Sequence, residues 1–240
     1  MIKLLLTGLA LLLPVAIAGE TVGDTQASAI VDLFDGARGD TGSETVIRVE
    51  SASGGANIKR FRVLDDGGQS SLVEFLDPLQ RGTKVLATGS DLWFFTPRTR
   101  RAVKIPPLQR LLGDASYGDI ARLKLAADYS PSSAPVAAEN GLLRIELAAR
   151  SPAATYARVV LFVRADDKVP VRAHYHVASG KHFRTVEFVG AARNGGQLVN
   201  DHWRIFAPET PTRQTQIHIE QARSKALPAS LFTRRTLEEG

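Results

Sequence analysis

A two-residue alternation recurs in short runs along most of this chain and restricts its fold more than any other feature. "TVIRVES" (45–51) puts Ile47 and Val49 on one side and Arg48 and Glu50 on the other. "IKRFRVL" (58–64) repeats this with Phe61 and Val63 against Arg60 and Arg62. "SLVEFLD", "TKVLATG" and "DLWFFTP" follow. The second half adds "LLRIELAA", "ARVVLFVRAD", "KVPVRAHYHV", "KHFRTVEFVG", "LVNDHWRIFA" and "RQTQIHIEQA". Successive side chains of a strand leave opposite sides of the backbone, so this period marks half-buried strands. Clusters such as "SASGGAN", "LDDGGQS", "ADDKVP", "ASGK" and "RNGGQ" separate the runs as hairpin turns do. About eleven strands joined by short loops pair antiparallel, because a parallel neighbour needs a long crossover.

A sheet with one apolar face must cover it. Three segments carry apolar residues at helical spacing. They are "TQASAIVDLFDGARG", "PPLQRLLGDASYGDIARL" and the tail "LPASLFTRR". In the first, Ala29, Ile30, Leu33 and Phe34 form the stripe, and Gly36 and Gly39 end it. The expected fold class is therefore mainly β: a large, curved antiparallel sheet, an incomplete or half β-barrel, with short helices forming a lid over its concave apolar face. No repeat of fixed period is present. "SPSSAPVAAENG" reads as a loop joining two halves of one domain, residues 19–240.

The first eighteen residues read as a cleaved signal peptide. Lys3 is the positive start, "LLLTGLALLL" the apolar core, and Ala16-Ile17-Ala18 a small-x-small site cut after Ala18. Pro14 and the polar "GETVGDTQ" beyond it argue against a membrane anchor. The chain has no cysteine, which excludes disulfides, thiolate metal sites, Cys nucleophiles and a lipid-modified Cys anchor. The reading is a periplasmic, unanchored protein. Its net charge of +5 is scattered, apart from a concentration at Arg98, Arg100, Arg101, Lys104 and Arg110. Outside the cytoplasm such an excess meets lipid headgroups and envelope polymers, so no nucleic-acid partner is expected.

Catalytic patterns are missing. "GDASYG" fails as a nucleophile elbow because Asp114 stands where that turn needs glycine. Phosphate-loop and dinucleotide fingerprints do not occur. "HYH" sends His174 and His176 to the same strand face, half of a metal site that His182, His202 or His218 would have to complete. Without a placed acidic partner, plain surface histidines are the simpler reading, and neither metal nor cofactor is expected. "DLWFFTPRTRR" (91–101) is apolar on both sides: Trp93 and Phe95 share one face, Leu92 and Phe94 the other. A central strand packed on both faces explains it, and so does a strand with one face lining a cavity. "PRTRR" is then a solvated turn or a positive rim.

The stretch "FLDPLQRGTKVLATGSDLWFFTPRTRRAVKIPPLQRLLGDASYGDI" resembles the LolA-like family of outer-membrane lipoprotein-sorting proteins. More closely it resembles the divergent branch associated with RND/MMPL-type exporters. Pro78, Gly82-Thr83, Leu92-Trp93, Pro97, Thr99-Arg100-Arg101, Ile105 and Ser116 to Ile120 carry the match. The resemblance implies a non-catalytic periplasmic carrier that shelters acyl chains of a lipoprotein or lipid. An inner-membrane transporter would be its donor and an outer-membrane protein its acceptor. On that reading Ile47, Phe61, Val63, Val73, Phe75, Trp93 and Phe95 line the concave cavity. Leu108, Leu111 and Leu112 belong to the lid, and Arg98, Arg100 and Arg101 form a headgroup or partner rim. The protein would act as a monomer. The alternative is an adaptor subunit of an exporter without cargo of its own; a His-dependent hydrolase would need His174, His176 or His202 to meet a carboxylate in a cleft.

Overall fold

The computed structural model describes residues 22–36, 42–51, 57–121, 124–194 and 197–239. The expected signal segment and its cleavage site lie outside them, as do Gly39 and most of "SASGGAN". Helix α1 (Val22–Gly36) comes first, followed by β1 (Ser43–Ser51), β2 (Asn57–Asp65), β3 (Ser71–Phe75), β4 (Lys84–Thr88), β5 (Asp91–Phe95) and β6 (Val103–Ile105). A connecting region holds β7 (Arg110–Leu112), β8 (Ala115–Ser116), α2 (Tyr117–Ala121) and α3 (Leu125–Asp128). Then come β9 (Tyr129–Pro131), β10 (Val136–Ala138), β11 (Leu142–Ala149), β12 (Arg158–Arg164), β13 (Pro170–His176) and β14 (His182–Glu187). The chain ends with β15 (Ala192–Asn194), β16 (Gln197–Val199), β17 (His202–Phe206), β18 (Thr215–Ser224) and α4 (Arg234–Glu239).

Fourteen of these strands form one antiparallel sheet, in the order β10-β11-β12-β13-β14-β17-β18-β1-β2-β3-β4-β5-β6, with β9 pairing β11. It is not closed into a barrel. β18 sits beside β1, so the sheet runs through both halves of the sequence. Its two end strands, β6 and β10, have three residues each, and short edges offer little template for unwanted pairing. "SPSSAPVAAENG", expected as a loop, in fact supplies β10. The β2–β3 turn follows its sequence: the Asp65 and Asp66 carboxylates accept from the Gly67 and Gly68 backbone N–H at 2.8 and 2.7 Å.

Register divides the side chains between two faces. On the inner face Phe61 stands opposite Phe75 and Ile47, and Ile47 opposite Ile219. With Val73, Val85, Leu92, Ile145, Leu161 and Ile217 they belong to the larger apolar core. On the outer face, ion pairs link neighbouring strands: Glu44 bonds Lys225 at 2.6 Å and Arg223 at 2.8 Å, and Arg62 bonds Glu74 at 3.0 Å. Those cations, Lys225 foremost, pull the Glu44 carboxyl down to about 2. Many of the alternating arginines are therefore cross-strand partners on a wet face.

Three expectations about the covering segments need correction. In α1 the buried stripe is Ala27, Ile30 and Val31, with Phe34 half-buried, while Leu33 is 42% exposed and Ala29 is also exposed. A helix turns 100° per residue, so Leu33 misses the side that Ile30 and Phe34 share. The segment 106–121 is mainly a two-stranded ribbon and a short helix: Leu111 and Leu112 lie in β7, and Gly113 turns the ribbon with φ +56. The tail does not cover the inner face at all. Its Phe232 and Leu237 pack on the outer face against Leu64, Leu72, Leu86 and Phe95.

Candidate functional site

A cavity of about 100 Å³ lies between the inner face and its cover. The sheet contributes Tyr175 from β13, Val186 from β14, Trp203 and Ile205 from β17, and Ile219 from β18. The cover contributes Phe34 from α1, Asp119 from α2, and Phe188, Leu198 and Asn200 around the β15–β16 ribbon. Phe34 and Phe188 meet edge-to-face at 5.2 Å and close one side. Typical small-molecule sites measure roughly 300–1,000 Å³, so this cavity holds a few waters but no acyl chain unless the cover moves.

Asp119 is the buried carboxylate of the site, 5% exposed. "SYGD" explains its position. Asp119 Oδ2 accepts from the Ser116 backbone N–H and hydroxyl, both at 2.8 Å, and Ser116 Oγ accepts from the Asp119 N–H at 3.3 Å. This is a reciprocal capping box at the start of α2. Oδ1 accepts from the Tyr156 hydroxyl at 2.6 Å, and Tyr156 stacks on Tyr175 at 4.6 Å. Burial pushes the Asp119 carboxyl pKa up, against the pull of the Tyr156 and Ser116 donors and the Arg184 charge. Gly118 fits because it has no side chain: a Cβ there would stand 2.8 Å from Thr155 Cγ2 and 2.9 Å from the Pro107 carbonyl.

Polar contacts hold the cover to the sheet. At the ribbon turn, the Asp114 N–H donates to Thr215 Oγ1 at 2.8 Å, and the Asp114 carbonyl accepts from Arg184 Nε at 2.8 Å. The Asp114 carboxylate accepts from the Ala207 N–H at 3.3 Å and faces Arg184 at 3.8 Å. Asp35 of α1 accepts from the Leu125 and Ala126 N–H groups that open α3, at 3.0 and 2.6 Å. Lys124 pairs with Asp65 at 2.9 Å, and the Ser71 hydroxyl donates to the Ala121 carbonyl.

None of the seven residues expected to line the cavity, nor of the three expected in its lid, lies at this cavity. Ile47, Phe61, Val73 and Phe75 are buried on the same inner face, with Val63 half-buried, toward the β1–β6 side of the sheet. Leu112 is buried, and Leu108 and Leu111 half-buried, in the cover against that core. Trp93 and Phe95 part company with this set. β5 pairs with β4 so that Trp93 faces Leu86 and Leu92 faces Ala87. Leu92 and Phe94 therefore point inward, while Trp93 and Phe95 join the outer cluster under the tail. The Arg234 guanidinium lies 4.7 Å over the Trp93 ring.

Arg98, Arg100 and Arg101 are exposed in the β5–β6 turn. That turn is six strands from β18 in the sheet order, so it does not rim this cavity. Arg100 holds a left-handed backbone, φ 52, where glycine would be favoured. The turn shares its end of the sheet with the β3–β4 loop: a Cβ at Gly82 would come within 2.7 Å of Pro97. In that loop Leu79 is 96% exposed. Ile58, Leu76 and Val103, also exposed, flank the same end.

The histidines split into two groups on the outer face. His182 lies 4.5 Å from His174 and 5.2 Å from His176, whereas His202 and His218 stack separately at 4.0 Å. Among the described residues no three His, Cys, Asp or Glu side chains are arranged to hold a metal ion. Sequence reasoning missed Asp119, Tyr156 and Asn200. The S-x-x-D spacing was a usable signal for the first, whereas the Tyr156 contact spans 37 residues and left none.

A LolA superfamily protein from Nitrosomonas europaea has a similar structure, with TM-score 0.78 and 23% identity, covering 88% of this chain and 98% of that one. A DUF1329 family protein from Desulfovibrio piger matches with TM-score 0.69 and 20% identity, over 90% and 100% of the two chains. An outer membrane lipoprotein-sorting protein domain from Vibrio parahaemolyticus matches with TM-score 0.69 and 15% identity, over 88% and 99%. No curated protein matches the sequence. A family model described as "Uncharacterized protein" matches residues 67–239. The chain belongs to the family which that model describes, and it has the LolA-like fold of these three structures.

Proposed function

We propose that this protein is a periplasmic carrier, exported and cleaved after Ala18, that shelters the acyl chains of a lipoprotein or other lipid and passes them toward the outer membrane. The observation that supports this most directly is a continuous apolar inner face under a cover held by separate polar contacts, with a cavity already open beneath it. Each CH₂ is worth about 0.8 kcal/mol, so a sixteen-carbon chain opposes transfer into water by roughly 12 kcal/mol. A carrier must offer comparable burial and still release its load. Here the cover's own side chains, Phe34, Leu108, Leu111 and Leu112 among them, occupy the face when it is empty, and cargo competes with them. In the loaded state Ile47, Phe61, Val63, Val73 and Phe75 extend the cavity into a groove. The lipoprotein-sorting description of the Vibrio structure agrees with this reading. No catalytic step is assigned to the chain.

The exposed end of the sheet favours a docking role in addition. Leu79 projects into solvent beside Arg81, Arg98, Arg100 and Arg101, and no ion pair engages these four among the described residues. This face suits an inner-membrane transporter or an outer-membrane acceptor. It is also the surface an adaptor without cargo would use.

Mass spectrometry of an organic extract of the protein, purified from periplasm without detergent, separates the two. A stoichiometric lipid or acylated peptide supports the carrier. A clean protein that also fails to take up added lipid overturns it in favour of the adaptor.

A further inference from the structure

The carrier reading leaves the cargo's polar end open, and the cavity narrows it. Its lining is mainly apolar, with Asp119 and Asn200 as its carboxylate and amide and with Tyr175 and Trp203 adding rings that carry a hydroxyl and an N–H. Asp119 presents a carboxylate whose two oxygens already accept from Ser116 and Tyr156. Asn200 lines the same space, and its Oδ1 is buried with no hydrogen-bond partner among the described residues. A buried acceptor without a donor is costly, and native interiors seldom leave one. The cation that acts on Asp119 does not reverse this polarity. The Arg184 guanidinium donates to the Asp114 and Phe183 carbonyls and faces the Asp114 carboxylate.

We propose, building on the carrier reading, that this cavity receives the polar end of a lipid that donates hydrogen bonds and carries no negative charge, a hydroxyl or an amine. Such a group gives Asn200 Oδ1 the donor it lacks and adds one more donor to Asp119. A carboxylate or phosphate head brings a second negative charge to a place where burial already disfavours the first. The apolar remainder of the ligand then runs along the inner face toward Phe61 and Phe75.

Displacement of the neutral fluorophore N-phenyl-1-naphthylamine tests this, using dodecanol, dodecylamine and dodecanoate, which share one chain length. At pH 7.5 the full-length mature protein should release the fluorophore to dodecanol or dodecylamine at concentrations at least about tenfold lower than to dodecanoate. Asn200→Leu, with each ligand's displacement referred to that variant's own fluorophore affinity, should reduce the preference severalfold. Asp119→Asn should weaken amine binding and relieve the exclusion of dodecanoate. If Asp119→Asn fails to fold, Asn200→Leu decides, since Asn200 Oδ1 makes no bond among the described residues. Dodecanoate binding as well as dodecanol overturns the inference and leaves the carrier reading standing. Failure of the fluorophore and all three ligands to bind overturns both.

Discussion

The sheet is covered on both faces, and its two covers are held by different forces. On the outer face the tail sets Phe232 and Leu237 against Leu64, Leu72, Leu86 and Phe95, with Glu238 accepting from the Ala102 N–H at 2.9 Å. On the inner face α1 and the region from β7 to α3 combine apolar packing with polar contacts at Asp35, Asp114, Ser71 and Lys124, and leave a cavity. The magnitudes separate their behaviour. A hydrogen bond exchanged for water costs only about 0.5–1.5 kcal/mol net, whereas exposing a large apolar side chain costs about 1.5–3 kcal/mol. Opening the inner cover also bares apolar surface, but an entering acyl chain covers it again. No ligand does that for the outer cover. The inner cover is thus built to open against cargo, and the outer one to stay shut.

Parallel truncations would break this comparison most forcefully. Phe61→Ala and Phe232→Ala should each lose about 3 kcal/mol or more in chemical denaturation, as large-to-small core changes do. Only Phe61→Ala should lower affinity for a fluorescent lipid. Trp93→Asp belongs with Phe232→Ala: destabilised, with ligand affinity kept. A loss of lipid binding in either outer-face variant would mean that the two covers are coupled.

Asp114→Ala probes the inner latch directly. It should cost about 1–3 kcal/mol, because the Ala207 N–H and the Arg184 guanidinium lose the Asp114 carboxylate in a partly buried place. It should also speed lipid uptake in stopped-flow mixing. An unchanged uptake rate would show that the ribbon does not gate the cavity.

Acid should act on the outer face. Burial, then the charges of His182, Arg172, His176 and Arg144, push His174 down to about 4 from its ordinary 6.5. Between those values the unfolded chain binds the extra proton, so this histidine's contribution is complete above pH 6.5 and is lost as pH falls toward 4. His174→Gln should flatten the fall in Tm across that window relative to the native protein, with lipid affinity unchanged at pH 7.5. An identical slope in both proteins would remove His174 as the cause.

The smallest effect concerns the exposed turn. Arg100→Gly should raise stability by about 1 kcal/mol, since glycine accepts the left-handed backbone without strain. It should leave lipid affinity alone while weakening attachment to the docking partner, read by pull-down or vesicle flotation. A destabilised Arg100→Gly would show that the side chain supports the turn.

Much of the architecture was legible because strands announce themselves by period. The runs around Ile47, Phe61 and Phe75 marked their inward faces correctly, since polar neighbours stood on the other side. The covering segments were harder to read. Short apolar stretches such as "LQRLL" suit a helix or a strand equally, and only the packing of Leu112 and Gly113 against the sheet made a ribbon of it. The tail's apolar residues announced burial without saying against which face.

The sequence by itself determined the class of fold: alternating runs and short turns force an antiparallel sheet, and that sheet requires covers. Tertiary structure alone decided which side each doubly apolar strand turns inward. Trp93 and Phe95 go outward because the register with β4 and β3 lines them up with Leu86 and Leu72. It also decided where the buried polar groups meet. Asp119 reaches Tyr156 across 37 residues of chain, and Asn200 reaches the same cavity from the far side of β14. Periodicity is a local property of the backbone, whereas a site is a meeting of distant segments, and the energies that assemble it arise only when the sheet closes over its own core.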